Sequence, residues 1–292
     1  MKSSLDTAFR IKTCVGEGPL WDDTAQELVW IDVLEGKVFR FNPRSFENRE
    51  YLIGKHVGAV ALTNTSKLLV AARDEFLFLE TNDSSLTSIR TVITNHDFRF
   101  NDGRVDSHGR FVIGTMGYSP EPGTAALFSY TFPDIFEVKL NGVGLSNGLC
   151  WGESYEEFFY IDTLTSQISK YDYDVETGRL SSPTSVIKFE KSHGSPDGMT
   201  IDIEGNLWIG FWGGGCVRKI SPSGKILEEI TLPVSRVTSA AFGGDKLNQL
   251  YITTASYQLT NDEFLREPLA GSLFVLETDT HGRPENRIKI PL

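Results

Sequence analysis

Four short stretches set an acid or an amide beside glycine: Gly16-Glu17-Gly18, Asn101-Asp102-Gly103, Ser146-Asn147-Gly148 and Pro196-Asp197-Gly198. Glu17, Asn147 and Asp197 offer only oxygen, with no histidine or cysteine among them. Brought to one place, they suit a hard divalent cation such as calcium, magnesium or manganese rather than a structural zinc. Two carboxylates neutralise such an ion and leave positions for water and a substrate oxygen. A cation held in this way polarises a carbonyl and makes its bound water more acidic. Asp197 is then also the candidate base for that water. A metal-bound carboxylate is a weakened base, so Asp102 stands as the reserve.

Asn-Gly and Asp-Gly are hairpin signals, and tight turns are the competing reading of these stretches. Position separates the two readings. Asp22-Asp23, Ser107-His108-Gly109 and Ile203-Glu204-Gly205 mark hairpins inside repeating units, whereas the acid and amide anchors precede the first strand of each unit. A glycine after each anchor lets backbone pass close to an ion or ligand. In Arg99-Phe100-Asn101, alternation along an extended chain puts Arg99 and Asn101 on one face, where both can bond a polyhydroxyl ligand. The other reading of Arg99 is a surface ion pair. Of the five histidines, none has metal or triad spacing. His193 can either reach the site beside Asp197 or stand as a solvated loop residue. Gly213-Gly214-Gly215 reads as a bulged hairpin, with no lysine-bearing helix after it to make a phosphate loop.

The elements that must position these residues are short strands. Turn residues punctuate apolar runs throughout, without a convincing amphipathic helix pattern. The anchors recur about every 45 residues, the spacing of propeller blades. Six units share one plan, among them Leu28-Val29-Trp30-Ile31-Asp32, Phe158-Phe159-Tyr160-Ile161-Asp162 and Leu207-Trp208-Ile209 as second strands. The expected fold is all-β: a six-bladed β-propeller of four-stranded blades, filling residues 1–292 as a single domain. Closure must join the ends. Ala8-Phe9-Arg10-Ile11-Lys12 is expected as the outer strand of the last blade, beside the C-terminal Arg287-Ile288-Lys289-Ile290. The alternative is an irregular pair of β-sandwiches.

A net charge of −11 without a Lys/Arg cluster disfavours nucleic acid. No apolar run is long enough to span a membrane, and Met1 to Arg10 lacks the apolar core of a signal peptide. Three scattered cysteines make neither a disulfide framework nor a zinc site. The expected compartment is the cytoplasm, and the expected state a monomer or small homo-oligomer.

The ordered set Gly16-Glu17-Gly18-Pro19-Leu20-Trp21, Arg99-Phe100-Asn101-Asp102-Gly103-Arg104-Val105-Asp106, Gly114-Thr115-Met116, Leu145-Ser146-Asn147-Gly148 and Pro196-Asp197-Gly198-Met199 resembles the senescence-marker-protein/gluconolactonase family. The likeness covers nearly the whole chain. It implies a six-bladed propeller with one divalent cation (calcium, magnesium, manganese or zinc) in its channel. By motif, it implies Glu17, Asn147 and Asp197 as metal ligands and Arg99 and Asn101 as substrate contacts. The expected reaction is opening of a sugar lactone, such as a glucono-, galactono-, arabinono- or xylonolactone, to the aldonic acid. Two rival readings are a phosphotriesterase-like hydrolase of the diisopropyl-fluorophosphatase kind and a non-catalytic calcium-binding propeller. One departure concerns specificity. Some members carry an acidic substrate contact shortly after Gly-Thr-Met, but here the chain continues Gly117-Tyr118-Ser119-Pro120-Glu121-Pro122, with Glu121 displaced between prolines.

Overall fold

Alternate residues along each strand point to opposite faces of a sheet, so a strand apolar on both faces must be covered on both. Glu27–Asp32 is such a strand, buried at every position. Leu28 and Trp30 pack with Tyr251 and Leu273 on one side, while Val29 and Ile31 pack with Val57, Val60 and Leu62 on the other. Repeated around a ring, this demand produces a propeller. The computed structural model, which describes residues 4–291, contains six four-stranded antiparallel sheets. Blade 1 runs Gly16–Asp22, Glu27–Asp32, Lys37–Asn42, Glu47–Leu52 from the axis outward, and blades 2 to 5 follow the same meander. The core is correspondingly divided into six clusters, one at each interface between neighbouring blades. Each large side chain buried there contributes about 1.5–3 kcal/mol.

The last blade closes the ring. Its three inner strands are Val237–Gly243, Gln249–Thr254 and Leu273–Glu277, and the N-terminal Leu5–Phe9 pairs antiparallel with the last of these. The N-terminal strand therefore lies where the sequence placed it, a few residues earlier. The expected neighbour is different. Arg287-Ile288-Lys289-Ile290 does not enter that blade, because Leu273–Glu277 already fills the position beside the N-terminal strand. Instead Ile288 bridges Thr63 in parallel and bonds Leu62 and Asn64, at the far end of blade 2.

That segment belongs to a longer strap across the far end of the channel. His281 accepts from Ile203, Gly282 donates to Leu247, Arg283 donates to Trp151 and Gly152, and Asn286 donates to Val105. Arg287 then reaches Asp22 and Asp23. These bonds touch every blade. Glu285 and Asn286 line a small cavity with Gly18, Ala59, Asp102 and Ser239, all from innermost strands, so the strap stops the channel at this end. Arg104 holds Glu285 at 2.8 Å.

One helix was not foreseen. Asn261–Arg266 lies in the long connection between the second and third strands of blade 6, opened by Thr260 and Glu263 bonding each other's backbone. The Thr-Xaa-Xaa-Glu spacing is its sequence signal.

Candidate functional site

Each innermost strand loses register with its neighbour at the same level: between Glu17 and Leu20, Val57 and Ala59, Phe100 and Gly103, Asn147 and Leu149, Pro196 and Met199, and Val237 and Ser239. A bulge frees backbone from the ladder and re-aims a side chain. Here six bulges form a ring around the axis. Glu17, the pair Asn101–Asp102, Asn147 and Asp197 occupy four of them, and Gly58 and Thr238 occupy the other two. The anchors thus lie inside the first strand of each unit, at its bulge, rather than before it.

Two of the glycines after the anchors, Gly148 and Gly198, have a reason different from the one expected. A Cβ on Gly148 would stand 2.7 Å from the Asp197 carbonyl oxygen, and one on Gly198 would stand 2.1 Å from the Ser239 hydroxyl. The crowding comes from the next blade's inner strand. Glycine here lets neighbouring bulges approach each other.

Two aspartates set the height of the anchors. Asp32, ending the second strand of blade 1, accepts from the amides of Cys14 and Val15 at 2.7 and 3.1 Å. Asp162 in blade 4 accepts from Gly144 and Leu145 at 2.9 and 3.0 Å. Each carboxylate pins the chain just before the strand that carries Glu17 or Asn147. The Asn147 amide is oriented further: Nδ2 donates to Thr163 Oγ1 at 2.8 Å, and that hydroxyl donates to the Pro196 carbonyl at 2.8 Å. Oδ1 is left turned to Asn101, whose Nδ2 donates to it at 2.8 Å and to the Ser146 carbonyl at 2.7 Å. Arg99 donates through Nη1 to Asn101 Oδ1 and the Phe100 carbonyl, both at 2.8 Å. Arg99 is buried and, among the described residues, forms no ion pair, so the surface-pair reading does not apply.

The electrostatics follow from this convergence. Burial pushes the Glu17 carboxyl well above the usual carboxylate range, and the charges of Asp197 and Asp102 push it further. Asp197 is raised by burial and then by Asp102. Burial lifts Asp102 to about 6 despite the pull of Arg104. Arg99 is lowered to about 10 by burial, against the opposing effect of Tyr118, Glu17 and Asp197. Three carboxyls and one guanidinium therefore share one poorly solvated space, with excess negative charge. Among the described residues no three His, Cys, Asp or Glu side chains form a metal cluster by themselves. The set that converges is two carboxylates and an amide, and its all-oxygen chemistry fits a hard divalent cation.

Other candidates fall outside. His193 is exposed in a short 3-10 turn, and Glu121 is exposed beyond blade 3's second strand. Sequence reasoning missed Asp32, Asp162 and Thr163, although Ile31-Asp32 and Ile161-Asp162 recur at one strand position. It also missed the pairing of His56 with Tyr118, whose side chains meet across 62 residues of chain.

Residues 15–256 match the model of the SMP-30/gluconolactonase/LRE-like region. A Bacillus subtilis protein with the provisional name sugar lactone lactonase YvrE is 37% identical over 93% of this chain and 94% of its own length. Regucalcin of Danio rerio is 36% identical, covering 92% of each chain. The solved structure of a luciferin-regenerating enzyme superposes with a TM-score of 0.91 at 28% identity, over 99% of this chain and 100% of that one. The chain therefore belongs to the SMP-30/gluconolactonase/LRE-like family and stands among its sugar lactonase hydrolases.

Proposed function

We propose that the chain opens a neutral sugar lactone to its aldonic acid, with Glu17, Asn147 and Asp197 holding one divalent cation. The observation that carries this reading is the ring of bulges that gathers one buried and two half-buried carboxyls, an oriented amide and a guanidinium with no ion pair among the described residues in one channel. The bound ion supplies Lewis acidity to the lactone carbonyl. Asp197 takes a proton from the attacking water at a carboxylate oxygen, and Asp102 is the second group placed to do so. Arg99 keeps Nη2 and Nε for substrate hydroxyls, because both of its protein bonds use Nη1. Asn101 has spent both amide hydrogens on Ser146 and Asn147, so toward substrate it can only accept. Its main service is to hold Asn147 and Arg99 in place. Three unpaired thiols suit a reducing compartment, in keeping with a cytoplasmic enzyme.

The test is acid release, followed with a pH indicator, from a panel of pentono- and hexonolactones, with an organophosphate ester alongside. Activity should vanish on chelation and return with magnesium, manganese or calcium to differing extents. Full activity in protein shown by elemental analysis to be metal-free would remove the cation from the reading. Hydrolysis of the phosphate ester alone would replace the lactone.

A further inference from the structure

At the stopped end of the ring, blades 1 and 2 enclose between them a cavity of about 460 Å³, away from the ring of bulges. That volume falls within the roughly 300–1,000 Å³ of pockets that hold small organic molecules. Four cationic side chains line it: Arg40 and Arg49 from blade 1, Lys67 from blade 2 and Arg287 from the strap. Two carboxylates, Asp22 and Glu27, stand against them. Arg40 and Arg49 lie directly opposite each other on neighbouring strands. Like charges so placed destabilise a sheet unless an anion comes between them.

The two carboxylates fix the guanidiniums without exhausting them. Glu27 accepts from Arg40 Nε at 2.7 Å and from Arg49 Nη2 at 2.6 Å. Asp22 accepts from Arg40 Nη2 at 2.6 Å and from Arg287 Nη2 at 2.8 Å. Among the described residues, Arg40 Nη1, Arg49 Nε and Nη1, and Arg287 Nε have no protein partner. Arg40 Nη1 stays in reach of solvent although the residue is only 6% exposed. Lys67, its ammonium 5.7 Å from the Phe78 ring centroid, forms no ion pair among the described residues. Counting Asp23, which holds Arg287 at 2.6 Å, the group keeps one positive charge in excess, in a chain of net charge −11. Guanidiniums held along one edge and free along another are a preorganised receptor for an oxyanion.

The rest of the wall says what the oxyanion is attached to. Thr24, Thr65, Ser66 and Thr81 add hydroxyls, and no aromatic side chain lines the cavity among the described residues. Hydroxyls suit a polyol, whereas a nucleobase has no ring to stack on. We infer that this cavity is a second ligand site, for the phosphate monoester of a small polyol. Arg40, Arg49 and Lys67 take the phosphate, and the hydroxyl wall takes the polyol. Arg287 belongs to the strap, so an occupant ties the strap to blades 1 and 2. The site stands whether or not the channel opens lactones.

The test is calorimetric titration of the protein, in the presence of magnesium, with D-glucitol 6-phosphate and with inorganic phosphate. Glucitol 6-phosphate should bind at least about threefold more tightly than inorganic phosphate, the worth of one neutral hydrogen bond from the wall. Arg49→Gln and Lys67→Gln each remove one charged donor at an exposed position. Each should weaken glucitol 6-phosphate roughly tenfold or more, with lactone kcat/KM unchanged. The ligand should also raise the melting temperature of the wild-type protein, and much less that of the double variant. Affinity unchanged in both variants would place the ligand on the channel's cation and overturn the site. Equal affinity for inorganic phosphate, or no binding of glucitol 6-phosphate by the wild-type protein at millimolar concentration, would overturn it as well. A protein that binds the probe through Arg49 and Lys67 but opens no lactone would keep this site and reject the lactonase reading.

Discussion

Glu17 and Asp22 sit near opposite ends of one strand, both largely enclosed by protein, yet their charges meet opposite company. Glu17 faces Asp197 and Asp102 across the channel, relieved by the Gly18 amide at 2.8 Å and, less, by Arg99, and its carboxyl is held far up by burial and by these like charges. Burial acts upward on Asp22 too, but bonds from Arg287 and Arg40 outweigh it and hold the carboxyl below its ordinary value. The Asp22–Arg40 contact is 2.6 Å, and Arg40 also bonds Glu27 at 2.7 Å. The same arrangement recurs at the far end of blades 3 and 5. Asp106 accepts from Arg110 and Tyr173, and Asp202 accepts from Asn206 and Trp208. The far end is thus assembled from compensated charge, which stabilises the ring. The open end concentrates uncompensated charge, which destabilises the empty protein and leaves it ready for a cation.

The sharpest way to break this contrast is at Asp197. Asp197→Ala should lower lactone kcat/KM by orders of magnitude, while the melting temperature of the metal-free protein stays level or rises, since one of the mutually repelling buried carboxyls is gone. Asp197→Asn keeps an oxygen ligand without basicity. Near-normal turnover in that variant would move the base to Asp102. At the other end of the channel, Asp22→Ala leaves Arg40 with Glu27 and Arg287 with Asp23, and should cost about 1.5–3 kcal/mol of unfolding free energy, read from urea titration. The folded variant should keep lactone kinetics within about twofold. A loss of kcat/KM as large as that of Asp197→Ala would mean that the two ends do not divide the work.

Arg99→Ala should alter relative kcat/KM among lactones differing at one hydroxyl by roughly ten- to hundredfold, the worth of a charged hydrogen bond. A uniform loss across the panel would assign Arg99 to holding Asn101 rather than to selection. The gentlest test is pH. Asp102, raised to about 6 in the folded protein, favours folding while protonated. That contribution is present below its unfolded pKa, near 4, and is lost as pH rises through about 6. Asp22 has the opposite sign: its contribution holds above the unfolded value and disappears as pH falls through the lowered folded one. Metal-free protein should therefore lose urea stability between about pH 4 and 6, and a saturating divalent cation should remove that decline. A decline unaffected by cation would place its origin outside the channel.

The anchors were legible because acids and amides beside glycine are rare enough to stand out when they repeat, and the blades because turn residues cut the chain into short apolar runs that share one plan. The six bulges were not, since register is a relation between strands. Asp32 and Asp162 could have been found, as each follows isoleucine at the end of a second strand, but alone either reads as an ordinary strand end. The strap was misread for a physical reason. Arg287-Ile288-Lys289-Ile290 alternates like a strand, yet its partners are Thr63, Asn64, Asp22 and Asp23, held largely by side chains that no local pattern announces.

Because the strap from His281 to Ile290 stops one end of the channel, the site has a single doorway. An aldonate formed beside the carboxyls has to back out along the path by which the lactone came in. Product and substrate then compete for one passage, so aldonate should inhibit in competition with lactone. Each turnover has to empty the cup before the next can begin, which makes the mouth a gate on release as much as on admission.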